Sequence, residues 1–294
     1  MDNKYKSIKA VIPPPAFHMV GDGFRVHNFF PSHHSIGMMG MSPFFLLDYG
    51  SKWNVPPSET PRGVGVHPHR GFETVTIAYH GRVAHHDSAG NSGVINEGDV
   101  QWMTAGAGVL HKEYHEKEFS KKGGLMQMVQ LWVNLPAKYK MTPAKYQAIE
   151  KNMMGRFELN DKKSTVEIIA GEYNGIKGPA TTYTPVNLFN AKLMKGARVD
   201  FNFSNESNTG ILVIEGEVRV NESLTAPADN FILLDHDGEE IELEAVKDSV
   251  ILILSGDPIN EPIASYGPFV MNTQVEIKQA YEDFRNGKFG YLED

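Results

Sequence analysis

The sequence predicts an all-β protein: two β-barrels in tandem, followed by one C-terminal α-helix. Three observations predict it. Short runs rich in Val, Ile, Leu and aromatics recur between turn residues along most of the chain. The pattern of the first half returns in the second. One segment near the end carries both a helix start and a helix stop.

The strand runs are ETVTIAY (73–79), MQMVQLWVNL (126–135), TGILVIEG (209–216), NFILLD (230–235) and DSVILILSG (248–256). Gly, Asn, Asp or Pro bounds most of them, and GDG (21–23), AGNSG (89–93) and DHDGEE (235–240) are turn signals between. Many short strands joined this way favour a sandwich or a barrel. The repeat emerges when Gly81 is set against Gly216. VTIAYHGRVAHH (75–86) then overlies GILVIEGEVRVN (210–221), a hydrophobic strand, a glycine turn and a strand out. Asp99 of GDVQWM similarly matches Asp229 of ADNFIL. Strand character ends at Leu135-Pro136, which sets the expected domains at 1–136 and 137–294. The helix is TQVEIKQAYEDFRNG (273–287): Thr273 and Glu276 stand at capping-box spacing, and Gly287 follows the last turn. Val275, Ile277, Ala280, Tyr281 and Phe284 form a stripe suited to docking on a sheet. TPAKYQAIEKN (142–152) is a second helical candidate.

Composition removes several function classes. The net charge is −8, with no basic run longer than a lysine pair, so the phosphate-neutralising term that drives nucleic-acid binding is missing. There is no cysteine, which excludes disulfides, thiolate nucleophiles, Fe–S clusters and Cys-based zinc sites. Residues 1–21 lack the apolar core of a signal peptide. No run approaches the ~20 apolar residues of a membrane span. The expectation is a soluble cytoplasmic protein without membrane or direct nucleic-acid partners.

The chemistry concentrates in one stretch, since seven of the twelve histidines lie between positions 67 and 115. His67 and His69 are i and i+2 at the start of a strand run, so both project to one face. Pro68 between them has no N–H for a ladder, which places the pair on an edge strand or barrel rim. His111 and Glu113 repeat the i, i+2 spacing in WMTAGAGVLHKEYH (102–115). Together they make three imidazoles and one carboxylate. This mixed N/O set suits iron, nickel, copper, manganese or zinc and leaves coordination positions open. The repeat offset carries the four positions onto Asn202, Ser204, Ile241 and Leu243, a poor donor set. One metal per chain is therefore expected, in the first barrel. The second barrel should be structural, with a core including Ile211, Val213, Phe231, Leu233, Ile251 and Ile253.

The remaining polar candidates read as structural. Glu73, four residues after His69, is expected to cap or pair elsewhere. His115 is expected at the surface, His85-His86-Asp87 as a polar strand exit, and His236 as an exposed turn residue. AGAGVLH (105–111) lacks the Lys-Ser/Thr ending of a phosphate loop, and no segment has the pattern of a nucleophile elbow.

HPHRGFETV (67–75), QWMTAGAGVLHKE (101–113) and LWVNLP (131–136), with MVGDGFRV (19–26) and GPFVMNT (267–273), resemble the pirin family of the cupin superfamily over nearly the whole chain. The resemblance implies a bicupin, two double-stranded β-helix barrels with one mononuclear metal, commonly Fe(II), in the first. It assigns the ligands to His67, His69, His111 and Glu113, where many other cupins use the residue at Glu73. This chain departs from the general cupin motifs with Pro61 for a glycine and Thr104 for a proline. Within H-x-E it has Lys112, where the family usually has a smaller residue; strand alternation aims that side chain away from the metal. Family members include proteins resembling quercetin 2,3-dioxygenases, which cleave a flavonol with O2, and a nuclear cofactor of transcription regulators. On the first reading, substrate and O2 meet at the metal and Glu113 is also the base for the flavonol 3-hydroxyl. On the alternative, the site is an iron-based redox sensor that alters a protein-binding surface without turnover.

Overall fold

The computed structural model describes residues 4–293. Its strands pair antiparallel and fall into two compact units, each built on a seven-stranded and a four-stranded sheet with a two-stranded ribbon beside them.

The unit holding the histidine stretch comprises residues 16–28, 44–151 and 259 onward. Its large sheet runs in the order Lys145–Ile149, Val100–Thr104, Phe72–His80, Gly124–Asn134, Phe44–Val55, Phe24–Phe30 and His18–Val20. The small sheet runs Gly63–His69, Val109–His115, Val83–Asp87 and Ser92–Ile95. Period-2 alternation decides which side chains meet between the sheets. Val26, Ala78, Met126 and Met128 from the large sheet pack on Val83 and Ile95 from the small one. Phe72–His80 lies inside its sheet and is buried over most of its length, as its unbroken apolar and β-branched run requires.

The other unit comprises the residues up to Pro15, Phe29–Pro43 and Asn152–Pro258. Its large sheet includes Asn208–Glu215, Ser249–Gly256 and Val186–Leu193, and its small sheet includes Arg198–Asn202 and Glu240–Ala245. Ile211, Val213, Ile251 and Ile253 sit in one continuous core, and Phe231 and Leu233 are buried as well. The repeat is physical: Gly81 and Gly216 both have φ of 84°, a left-handed value that lets each strand turn into the next.

The units are not the linear halves 1–136 and 137–294. Ile8–Ile12 adds an edge strand against Phe231–Leu234, so the start of the chain completes the later unit. Residues from 259 onward return to the earlier one, where Val270 N–H bonds Arg70 O. An open sheet edge takes whatever strand covers it, irrespective of sequence distance.

The capping box forms as the sequence predicts. Thr273 accepts from Glu276 N–H, Glu276 accepts from the Thr273 N–H, and the helix runs Gln274–Arg285. Its apolar face is narrower than expected. Ile277 and Ala280 are buried with Tyr281 against Phe269 and Met271, whereas Val275 and Phe284 face outward. The segment 142–152 is not a helix. Lys145–Ile149 is an edge strand on Val100–Thr104, because that ladder satisfies its backbone where no helix partner is offered. No helix among the described residues is long and apolar enough to cross a membrane.

Candidate metal centre

Two adjacent strands of the small sheet bring the predicted residues together. Gly63–His69 pairs with Val109–His115 so that His67 lies opposite His111. A bulge between His111 and Glu113 shifts the register by one, setting Glu113 opposite Val64. The ring centroids of His67, His69 and His111 lie 4.2–4.8 Å apart.

Each side chain is held differently. His67 Nδ1 is 2.8 Å from Gly65 O, and His69 Nδ1 is 3.3 Å from Pro268 O. A carbonyl only accepts, so both Nδ1 atoms carry the hydrogen, which leaves Nε2 as the atom through which each ring can ligate. His111 is fully buried, and neither of its ring nitrogens has a hydrogen-bond partner among the described residues. Burial, with His67 beside them, holds the His69 and His111 imidazoles well below the usual histidine range. They are neutral at pH 7, the form that ligates. Glu113 Oε1 lies 3.1 Å from Thr76 Oγ1 and 3.5 Å from Gln101 Nε2.

The residues fit a metal ion. A buried imidazole with both nitrogens unpaired is costly unless something absent from the polypeptide completes it. Two imidazoles with Nδ1 anchored to carbonyls are the usual arrangement around a bound cation. Among the described residues, the groups close enough to hold an ion are His67–His69–His111 and His85–His111–Glu113, which share His111.

His85 is therefore not a polar strand exit. It is fully buried, stacks on Tyr146 and places Nε2 3.3 Å from Asp87 Oδ2. The signal was parity: Val83, His85 and Asp87 alternate inward, and pairing sets His85 opposite Glu113. His86 points the other way and meets the Tyr114 hydroxyl at 2.7 Å. His115 is also not at the surface; it is buried edge-on to Phe24 and Phe119, with Nε2 2.9 Å from Gly23 O. Glu73 stays outside the cluster and accepts from Thr104 Oγ1 at 2.7 Å. Burial raises its carboxyl to about 7, with the Thr104 bond opposing. Lys112 points away and donates to Glu293 O at 2.6 Å. His236 is exposed, with Nε2 3.0 Å from Asn208 Oδ1.

The repeat offset is corrected by one residue in the second unit. Phe201 pairs with Ile241 as His67 pairs with His111, so Phe201 and Phe203, not Asn202 and Ser204, occupy the inward positions. Phe201 and Phe203 stack at 6.0 Å beside buried Ile241 and Leu243. Asn202 and Ser204 are exposed. Apolar side chains fill the place that the donors occupy in the first unit.

His67, His69 and Glu113 open on a cavity of about 330 Å³. Val20, Phe24, Val26, Val64, Met128 and Trp132 give it an apolar wall. Asp48 and Gln130 add polar groups, and Gly267-Pro268 forms part of the rim. Asp48 accepts from Asn28 Nδ2 at 2.7 Å, and burial raises its carboxyl despite that bond. Polar pocket groups of this kind are invisible to motif spacing, because Asp48, Gln130 and Thr76 meet only across neighbouring strands.

Two units built on seven-plus-four antiparallel sheets, one of them holding the overlapping His67–His69–His111 and His85–His111–Glu113 clusters, define a bicupin. The chain belongs to the pirin family: the pirin model matches residues 23–133 and the pirin C-terminal cupin domain matches residues 188–290. A Pseudomonas aeruginosa protein provisionally named quercetin 2,3-dioxygenase is 46% identical over 272 residues, covering 92% of this chain and 94% of its own. A pirin-like protein of Caulobacter vibrioides is 39% identical, covering 84% of this chain and 87% of its own. A solved structure of quercetin 2,3-dioxygenase from Acinetobacter baumannii superposes with a TM-score of 0.92 at 49% identity, covering 98% of this chain and 99% of that one.

Proposed function

We propose that the protein is a mononuclear metal-dependent dioxygenase of the quercetin 2,3-dioxygenase type. His67, His69, His111 and Glu113 are its proposed ligands and iron(II) its proposed ion. The observation that carries this reading is that the histidine and carboxylate donors open on an apolar cavity. Its volume lies in the range of pockets that enclose drug-sized molecules, ~300–1,000 Å³. The names of the most similar relatives support the same reaction class.

Bound there, the metal would supply Lewis-acid contact to a substrate's oxygens and one-electron chemistry toward O2. The polypeptide does the rest. His67 and His69 present Nε2 with the ring orientation set by Gly65 O and Pro268 O. The apolar wall, with Trp132 and Phe24, stacks a planar aromatic ligand and excludes water. The Glu113 carboxylate, at the cavity face, takes the proton from a flavonol 3-hydroxyl as it deprotonates. Asp48 and Gln130 offer hydrogen-bond partners to further hydroxyls. Iron-loaded protein mixed anaerobically with quercetin and then exposed to O2 is expected to lose flavonol absorbance and release carbon monoxide. Neither change in fully metallated protein would falsify the activity for this substrate.

A further inference from the structure

Three polar side chains link the cavity wall to Glu113, and they share too few hydrogens. Gln130, Thr76 and Gln101 occupy one transverse row of the large sheet: Gln130 lies opposite Thr76, and Thr76 opposite Gln101. The Thr76 hydroxyl is fully buried, with Gln130 Oε1 at 2.6 Å and Glu113 Oε1 at 3.1 Å. A hydroxyl has one hydrogen, so it serves one of these acceptors at a time. The shorter contact has Thr76 Oγ1 donate that hydrogen to Gln130 Oε1. Glu113 is then left with the 3.5 Å contact from Gln101 Nε2, while His67 and His69 are each tied to a backbone carbonyl. Among the three proposed ligands that line the cavity, the carboxylate is the one whose anchor is contested.

Gln130 can end the contest, because its carboxamide has an acceptor at one end and donors at the other. With Oε1 toward Thr76 it takes the hydrogen. Turned half a revolution, Nε2 donates to Thr76 Oγ1, and the hydroxyl hydrogen passes to Glu113. Gln130 lines the cavity, so an occupant that donates a hydroxyl to Oε1 favours the turned state. We propose that Gln130 and Thr76 are positioning residues for Glu113, forming a relay through which a hydroxyl-donating ligand in the cavity fixes the carboxylate for metal binding. The inference rests on the assignment of Glu113 as a ligand, and it makes metal and ligand binding reciprocal.

The test uses cobalt(II) affinity, measured by competition with a chromophoric chelator, with circular dichroism as the check on folding. T76V is isosteric and lacks the hydroxyl; with 7-hydroxyflavone present it is expected to bind cobalt(II) about tenfold or more weakly than the wild type and to differ from it in the cobalt visible spectrum, the size usual for lost outer-sphere support, whereas without an occupant the two bind alike. T76S, which keeps the hydroxyl, retains wild-type affinity and spectrum. 7-Hydroxyflavone, which donates a phenol but lacks a chelating 3-hydroxyl, is expected to tighten cobalt(II) binding in the wild type and not in T76V or Q130M. Folded T76V that matches the wild-type affinity with 7-hydroxyflavone present overturns the proposal, as does a 7-hydroxyflavone effect that is absent from the wild type or persists in T76V. E113A separates the two levels. If it binds cobalt(II) normally, the ligand assignment itself falls; if it binds weakly while T76V matches the wild type with 7-hydroxyflavone present, only the relay falls.

Discussion

Lys140 is among the largest fully buried side chains, and among the described residues its ammonium bonds to neutral acceptors. Its Nζ donates to Gly71 O at 2.8 Å, Asn134 Oδ1 at 2.6 Å and Val270 O at 2.8 Å. Three neutral acceptors match three N–H groups, yet burial outweighs the more distant Glu261 and Glu276 and lowers the group from 10.5 to about 7. Between those values the unfolded chain binds a proton that the folded chain has released. Stability therefore rises with pH across the window. A full unit of pH there is worth up to ~1.4 kcal/mol, so moving from about pH 7.5 to 9.5 stabilises the fold by roughly 2–3 kcal/mol. Lys140→Met removes this titration while leaving the three acceptors unfilled, at ~1–3 kcal/mol each. Those costs and the relief of burying a charge oppose one another, so the diagnostic quantity is the slope against pH. Urea midpoints of both proteins at the two pH values measure it. Glu73, at about 7, and Tyr146, raised by burial to about 12, titrate largely outside the interval. A variant whose stability climbs in parallel with the wild type refutes the reasoning.

Glu73 runs with the opposite sign: its folded value is raised from 4.5 to about 7, so stability present below 4.5 is lost as pH rises through 7. Glu73→Gln should flatten that loss, roughly 3 kcal/mol, in denaturant midpoints at low and neutral pH. His111→Ala should abolish or sharply weaken metal binding in elemental analysis with the fold retained, whereas His236→Ala should leave the stoichiometry of one per chain unchanged. Phe201→Ala should cost ~3–5 kcal/mol as a core truncation and leave metal content as it was.

The strands and the HPH and HKE pairs were legible because their signals are local. Alternation sets the face, and i, i+2 spacing places two donors side by side whatever the register. The terminal helix was legible for the same reason, through Thr273 and Glu276. What escaped depends on contacts across strands. His85 joins the cluster only because its strand pairs in the one register that sets it opposite Glu113. His115 is buried by Phe24 and Phe119, neither of which a loop-like YHEKEF reveals. The matching of Asn202 and Ser204 with the histidines failed by one residue, because a count along the chain does not register a bulge or a turn of different length. Lys145–Ile149 is a strand because an edge was available, a tertiary fact that overrides its helical composition.

The return of residues 259–293 also sets an order of events. Synthesis delivers the HPH and HKE segments early, then the whole of 152–258, and only afterwards Pro268, whose carbonyl orients His69, and Asp283, which pairs with Arg70 at 2.9 Å. A nascent chain halted before residue 268 carries all four proposed donors without the group that fixes one of them. On the proposed ligand set, the site is therefore completed late, after translation of residues 152–258, which supply none of its four residues. The interval between donors and anchor is when the wrong cation has its opportunity.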